Sequence, residues 1–279
     1  MQYAVFFYAC LSLSLTLSHS SMASSVANAD LQLTLPKAGS FEPEITGHFY
    51  EQALRLALEK TRREHEQIHF DYYKVSVNRE RARLLVKQGI IDIIWSSSNK
   101  KRENQLMPVK FNLIRGINEY RLLLIRADDQ PRFDQVNALS DLQKFKIGSG
   151  LHWSDADIYR FNGLPLVTSD AYDSMFRMLE ARRFDYMARS IQEVINEQEQ
   201  YPALRLSIEK NLMIHYQQPI YFFVNNNNPV LAERIQRGLE IAREDGSLDN
   251  LFFSVHSFRE AWQQLQQLDR KIIELRVPE

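Results

Sequence analysis

The chain reads as an α/β protein in two similar halves, each a mixed, mostly parallel sheet flanked by helices. Three observations lead there. Apolar strand-like runs alternate with amphipathic helical stretches, the pattern of right-handed βαβ units. Residues 83–102 and 178–190 repeat one device: an amphipathic helix, an Asp at a tight turn, a short apolar strand, then small polar residues and an arginine. Helices close the chain, and no repeat of fixed period runs through it.

Taken in order, 31–35 alternates as a strand, 36–43 is a loop with Pro at each end, and 47–63 carries a helical apolar stripe. A second strand covers 68–75. Asn78 caps a helix to about 88, which Gly89 stops. Residues 90–95 hold only Asp92 as a polar member, as in a central parallel strand. A strand follows at 120–125, and a short helical turn opens at Ser140. Strands at 145–148, 164–168 and 185–188 alternate with helices at 154–161, 172–182 and 192–200. Two apolar strands, 212–215 and 220–224, flank Gln217-Gln218-Pro219. Asn228-Pro229 starts a helix across 231–243, Gly246 stops it, and 256–273 reads as a last helical region.

The first 29 residues read as an export signal. Residues 4–17 are apolar or hydroxyl-bearing, and Ala27-Asn28-Ala29 fits the small-x-small pattern, so cleavage is expected after Ala29 and the mature chain in the periplasm. The n-region lacks Lys and Arg; the first basic residue is Lys37. Cys10, the single cysteine, lies in this segment, so the mature chain offers no disulfide and no thiol chemistry. The remaining ~250 residues suffice for two lobes. A formal net charge of −1 argues against nucleic acid as a partner.

The residues after each apolar strand are the binding candidates. Arg102 and Arg189 each suit bidentate pairing with an anion, and one of Ser96, Ser97 and Ser98 is expected to donate into a cleft. Gly148-Ser149-Gly150 leads to Trp153 and Ser154. Ser154 with Asp157 fits a capping box, so a helix start near Ser149, Gly150 and Ser154 offers N–H groups to a negative group. Phe41, Trp95 and Trp153 are candidates for an aromatic wall, Trp95 with core packing as its other reading. Tyr120 and Arg121 read as crossing-strand residues. The chain has no His-Glu-x-x-His, no Gly-x-Ser-x-Gly and no P-loop ending, so no metal, cofactor or catalytic residue is assigned and the chain is not expected to be an enzyme.

Gly89-x-x-Asp92 with its strand, Ser96–Ser98 and Arg102, then Lys146-Ile-Gly-Ser-Gly150, Arg183-Phe-Asp185 and 245–252, resemble the bacterial extracellular solute-binding proteins of family 3, the polar amino-acid type. The likeness covers nearly all of the mature chain. It implies the type II periplasmic-binding-protein fold, with lobe one at 30–121 plus 225–279, lobe two at 126–219, and hinge strands near 122–126 and 220–224. A ligand would bind between the lobes, with closure by a hinge. It also implies a monomer without cofactor that delivers its solute to the permease of an ABC-type transporter. The alternative is a ligand-sensing module for a membrane signalling receptor, and the third reading a dehydratase-like enzyme on the same fold. Two departures matter. Ser98-Asn99-Lys100-Lys101 stands where the family commonly has a Thr, and Ala188-Arg189-Ser190 stands where amino-acid binders commonly have an Asp. An arginine there attracts carboxylate or phosphate, so a small polar, anionic ligand is expected.

Overall fold

Strand β1 (Leu31–Leu35) buries Leu33 and Leu35 on one face and begins the βαβ progression in a computed structural model that describes residues 30–37, 44–151, 153–267 and 269–278. The expected export signal and Phe41 lie outside the described residues. Helix α1 (Glu44–Lys60) returns the chain to β2 (Ile68–Tyr72), which pairs with β1 in parallel. Helix α2 (Arg79–Lys87) is capped by Asn78, whose side chain accepts from the Arg81 N–H, and ends at Gly89 with φ +71°. It buries Ala82, Leu85 and Val86 against β3 (Ile93–Ser97). After the four-residue α3 (Lys100–Glu103) comes β4 (Met107–Val109). Both β3 and β4 pair antiparallel with β10 (Ile220–Val224). Since β1 lies beside β3, lobe one is a layer in the order β2-β1-β3-β10-β4.

Lobe two is a six-stranded sheet in the order β11-β9-β5-β8-β6-β7. Its strands are β5 (Tyr120–Arg126), β6 (Ile147–Gly150), β7 (Leu166–Ser169), β8 (Tyr186–Ser190), β9 (Leu206–His215) and β11 (Lys271–Glu274). Only β5 runs against its neighbours. Helices α6 (Asp155–Phe161), α7 (Tyr172–Glu180) and α8 (Ile191–Gln200) connect and cover the sheet. Two shorter helices, α4 (Gln130–Phe133) and α5 (Leu139–Leu142), precede β6. The chain ends with α9 (Pro229–Glu244), α10 (Ser247–Ser254) and α11 (His256–Gln267) before β11. Helix α9 crosses α1 at Gly238, where an added Cβ would lie 1.9 Å from the Ala57 carbonyl oxygen. Only glycine permits that backbone-to-backbone approach.

Three features depart from the sequence reading. Strand β5 pairs along its whole length inside lobe two, and β10 along its whole length inside lobe one. The chain therefore passes between the sheets at 110–119 and 216–219, rather than at 122–126 and 220–224. Second, 271–274 is not helical and not part of lobe one: it is β11, parallel to β9. Asn162 fixes it further, donating to the Arg276 carbonyl at 2.7 Å and accepting from the Arg276 N–H at 2.9 Å. Third, β4 and the first half of β9 are strands where the sequence reading assigns none, although Leu206-Ser-Ile-Glu209 alternates. The largest buried cluster runs from Leu33, Phe49 and Ile235 of lobe one to Phe176, Ile191 and Val194 of lobe two. Helix α11 joins the two by packing on α8 and on the 3-10 turn Ile117–Glu119. Among the described residues, no helix is long and apolar enough to cross a membrane.

Candidate functional site

Each lobe clamps the start of its central strand with an aspartate. Asp92 donates its N–H to the Thr34 carbonyl at 2.9 Å, and its carboxylate accepts the Thr34 N–H at 2.7 Å. Asp185 does the same with Lys146, at 2.8 Å in both directions. The charged acceptor replaces a ladder partner at the first residue of a strand that is otherwise apolar. Both strands are thereby fixed in register, and their far ends deliver polar residues to the side where the lobes meet.

In lobe one the three serines part company. Ser96 is buried on the side shared with Ile94. The Ser98 hydroxyl donates to Glu103 at 2.5 Å, and its N–H to the Pro219 carbonyl at 2.7 Å. Ser97, half-buried, reaches lobe two: its hydroxyl lies 3.1 Å from that of Ser154. Trp95 is 7 % exposed and stacks on Tyr50 with ring centroids 5.5 Å apart, so it belongs to packing and not to an open wall. Arg102 follows Asn99, which caps α3 by accepting the Arg102 N–H at 2.8 Å. Its guanidinium is 6.0 Å above the Phe223 ring, and its Nε and Nη1 have no hydrogen-bond partner. Burial, with Arg83 and Arg79, pushes it down to about 9, leaving it charged at neutral pH.

In lobe two Arg189 is not the open cation that the sequence suggests. Its Nε donates to both oxygens of Glu197 at 2.9 Å, and its Nη2 to Glu197 Oε1 at 2.5 Å, with Glu193 at 3.2 Å. Burial opposes the charge, but the two carboxylates overcome it and hold Arg189 well above its ordinary value. The other face of the guanidinium lies 4.3 Å from the Trp153 ring centroid. Trp153 in turn lies on Gly150, where an added Cβ would come within 2.5 Å of the indole. Gly150 therefore seats Trp153. Ser149 is fully buried, and its hydroxyl finds no partner. The expected capping box is not formed either: Ser154 has helical φ and ψ and makes no cap bond, because its hydroxyl is used between the lobes.

That junction joins Ser154 to residues the sequence reading leaves outside the site, Arg121 among them as a crossing-strand residue. Gln218, in the segment between β9 and β10, donates to the Ser154 hydroxyl at 3.0 Å and accepts from Arg121 Nη2 at 2.7 Å. Arg121, buried at the start of β5, also reaches Asp155 at 3.2 Å and Glu193 at 3.9 Å. Burial disfavours its charge, but the surrounding acids and phenols raise it above its ordinary value. The Tyr216 hydroxyl donates to Asp155 at 2.6 Å and lies 3.1 Å from the Tyr159 hydroxyl. Asp155 thus stands at the start of α6 in the place expected for a bound anion. One carboxylate keeps access to solvent: Glu193 is 42 % exposed while accepting from Ser190 at 2.5 Å. Burial raises its pKa, but Arg189 and Arg121 outweigh that and keep it below the ordinary range.

Two facing lobes, joined by two short crossings, meet at the ends of their parallel strands. The fold is that of the two-lobed periplasmic binding proteins. An ancestral arginine-binding protein bound to arginine superposes with a TM-score of 0.57 at 17% identity, over 81% of this chain and 98% of that one. The substrate-binding protein of an amino acid ABC transporter gives a TM-score of 0.52 at 12% identity, over 82% and 99%. A histidine kinase sensor domain with similarity to periplasmic binding proteins gives 0.52 at 16%, over 75% and 85%. No family model and no curated protein sequence matches the chain. Within this binding-protein fold, the structure brings Ser97 to Ser154, and Gly150 and Trp153 to Arg189. Arg189 is paired with Glu197 and Glu193, while Arg102 keeps two nitrogens without a hydrogen-bond partner. Arg121, Gln218 and Tyr216 had no local signal. Glu193 and Glu197 did: four and eight residues beyond Arg189, on a helix, they fall on one face.

Proposed function

We propose that this chain captures a small polar solute of the amino-acid type between its lobes in the periplasm, after export and cleavage at Ala29. It releases the solute to an amino-acid transporter in the membrane. Lobe one is taken as 30–109 plus 220–267, and lobe two as 120–215 plus 271–277. The observation that carries this reading is the difference in charge between the two strand ends. Lobe one offers Arg102, with two unpartnered donor nitrogens, and the Ser97 hydroxyl; lobe two offers the half-exposed carboxylate of Glu193. A zwitterion placed with its carboxylate towards lobe one and its ammonium towards Glu193 satisfies both. The expectation of two open cationic walls gives way, because Glu193 and Glu197 outnumber Arg189. Solved structures of this fold include proteins bound to arginine and to glutamine, which favours the same polarity of ligand. Ser97, Ser154 and Gln218 form the contact at which closure is completed.

The test is a thermal-shift screen of the mature chain against the common amino acids, followed by calorimetry. Binding raises the midpoint by mass action, by roughly 3 kcal/mol of stability at a hundredfold excess over Kd. Glu193→Gln is expected to weaken a cationic or zwitterionic ligand at least tenfold and to spare a purely anionic one. No shift with any amino acid at millimolar concentration overturns the reading. A second reading, a sensing module, is favoured by the likeness to a kinase sensor domain. It predicts that the closed form binds a receptor domain and not a permease. Binding without turnover is common to both, and the matched structures are binding proteins.

A further inference from the structure

The two crossings enter lobe two side by side. Tyr120, the first residue of β5, is paired with His215, the last of β9, and the Tyr216 N–H donates to the Glu119 carbonyl at 3.3 Å. Paired in this way, the crossings form one two-stranded hinge. The chain passes between the lobes a third time, where α11 gives way to β11. Helix α11 is anchored in lobe one: the ring of Phe258, fully buried, lies 4.9 Å from that of Phe49 on α1 and 5.3 Å from that of Phe252 on α10, centroid to centroid. The same helix packs on α8 of lobe two. Strand β11 belongs to the sheet of lobe two, with Lys271 opposite Leu212 and Glu274 opposite His215. Ile273 and Leu275 are buried in the cluster that holds Leu123, Tyr159 and Ile214. The Leu275 N–H donates to the His215 carbonyl at 2.8 Å, and the Glu274 carboxylate lies 2.7 Å from His215 Nδ1.

This third link has little slack. Only residues 268–270 separate α11 from β11, a reach of at most about 11 Å. Arg270 is tied to β9, its Nη1 donating to the Leu212 carbonyl at 3.3 Å and lying 3.8 Å from the Glu209 carboxylate. The attachment is also displaced from the hinge. Leu212 precedes Tyr216 by four residues, about 13 Å along the strand. Two adjacent links leave the lobes free to open and to twist; a third, short and off their axis, resists both. We propose that α11 and β11 form a strap that limits how far the lobes open and confines closure to a small bend about the paired crossings. The inference rests on the division into lobes given above, and not on which solute they hold.

Pulsed electron–electron resonance between two spin labels tests it. The single cysteine, Cys10, lies in the expected export signal, so Lys101→Cys on lobe one and Asp170→Cys on lobe two label the mature chain at these two sites alone. Both positions are exposed. One narrow distance between the lobes is expected. Inserting Gly-Ser-Gly-Ser between Asp269 and Arg270 keeps the contacts of α11 and β11 and adds slack. It is expected to widen the distance distribution at least twofold, and a Gly-Ser insertion there to give an intermediate width, which keeps the test valid if the longer insertion folds poorly. Asn162→Ala removes both bonds to the Arg276 backbone but adds no slack. It is expected to lower the urea midpoint and leave the width unchanged. A width indifferent to both insertions, or widened as much by Asn162→Ala as by them, overturns the inference. The measurement needs no solute. An indifferent width with an amino acid still bound removes the strap and leaves the capture function; a width that follows the slack with no amino acid bound does the reverse.

Discussion

Strand β3 leaves the Asp92 clamp and ends near Arg102; strand β8 leaves the Asp185 clamp and ends at Arg189. Up to the last strand residue the two regions are built alike. Beyond it, lobe two continues into the ten-residue α8, which returns Glu193 and Glu197 to the arginine one and two turns later. Lobe one continues into the four-residue α3, whose glutamate, Glu103, accepts from Ser98, leaving Arg102 beside lysines. The same strand-end arginine is therefore a neutralised structural group in one lobe and an uncompensated one in the other. The length and charge of the following helix decide which, not the arginine.

The largest effects should come from removing the charges that make the two ends differ. Glu197→Ala strips Arg189 of its bidentate partner, and urea unfolding is expected to show a loss of about 3–5 kcal/mol. Arg102→Met in lobe one removes a buried charge that has no partner, so ligand-free stability should hold or rise. Equal losses at the two sites would break the comparison.

Gly150→Ala comes next. Its Cβ would meet the indole of Trp153 at 2.5 Å and displace the ring from Arg189, at a cost of about 1–3 kcal/mol. Quenching of the Trp153 fluorescence contribution should change with it, and an unchanged spectrum with unchanged stability would deny the stacking. Smallest is the pH dependence, which separates the lobes by window. Glu193 has a depressed folded-state pKa, so its contribution is present above about pH 4–5 and is lost as pH falls through the folded value. Arg102 has a depressed pKa of a cation, so lobe one gains stability as pH rises past about 9. Thermal midpoints across pH 3–10 should lose the acid limb in Glu193→Gln and the alkaline limb in Arg102→Met.

Much of this was legible locally. Alternation in 31–35, the Asn78 cap, the Gly89 stop and the two aspartates before apolar strands follow from side-chain period and backbone sterics, which act within a few residues. The pairing of Arg189 with Glu197 is legible from helical spacing, since Glu193 and Glu197 are one turn apart on the helix that follows the strand. The crossings were misplaced because an apolar strand looks the same whether it spans two lobes or pairs inside one. Residues 271–274 looked like more helix because nothing in Lys271-Ile-Ile-Glu274 announces the open edge of β9 that receives it.

The sequence by itself determined the order of elements, the two clamped strands and the residues at their ends, because those depend on local propensity and apolar period. Tertiary structure alone decided that Ser97 meets Ser154 through Gln218, that Gly150 carries an indole, and that Arg189 is matched while Arg102 is not. Charge pairing depends on distance through folded space, and residues 57 apart, such as Ser97 and Ser154, become neighbours only when two sheets face each other.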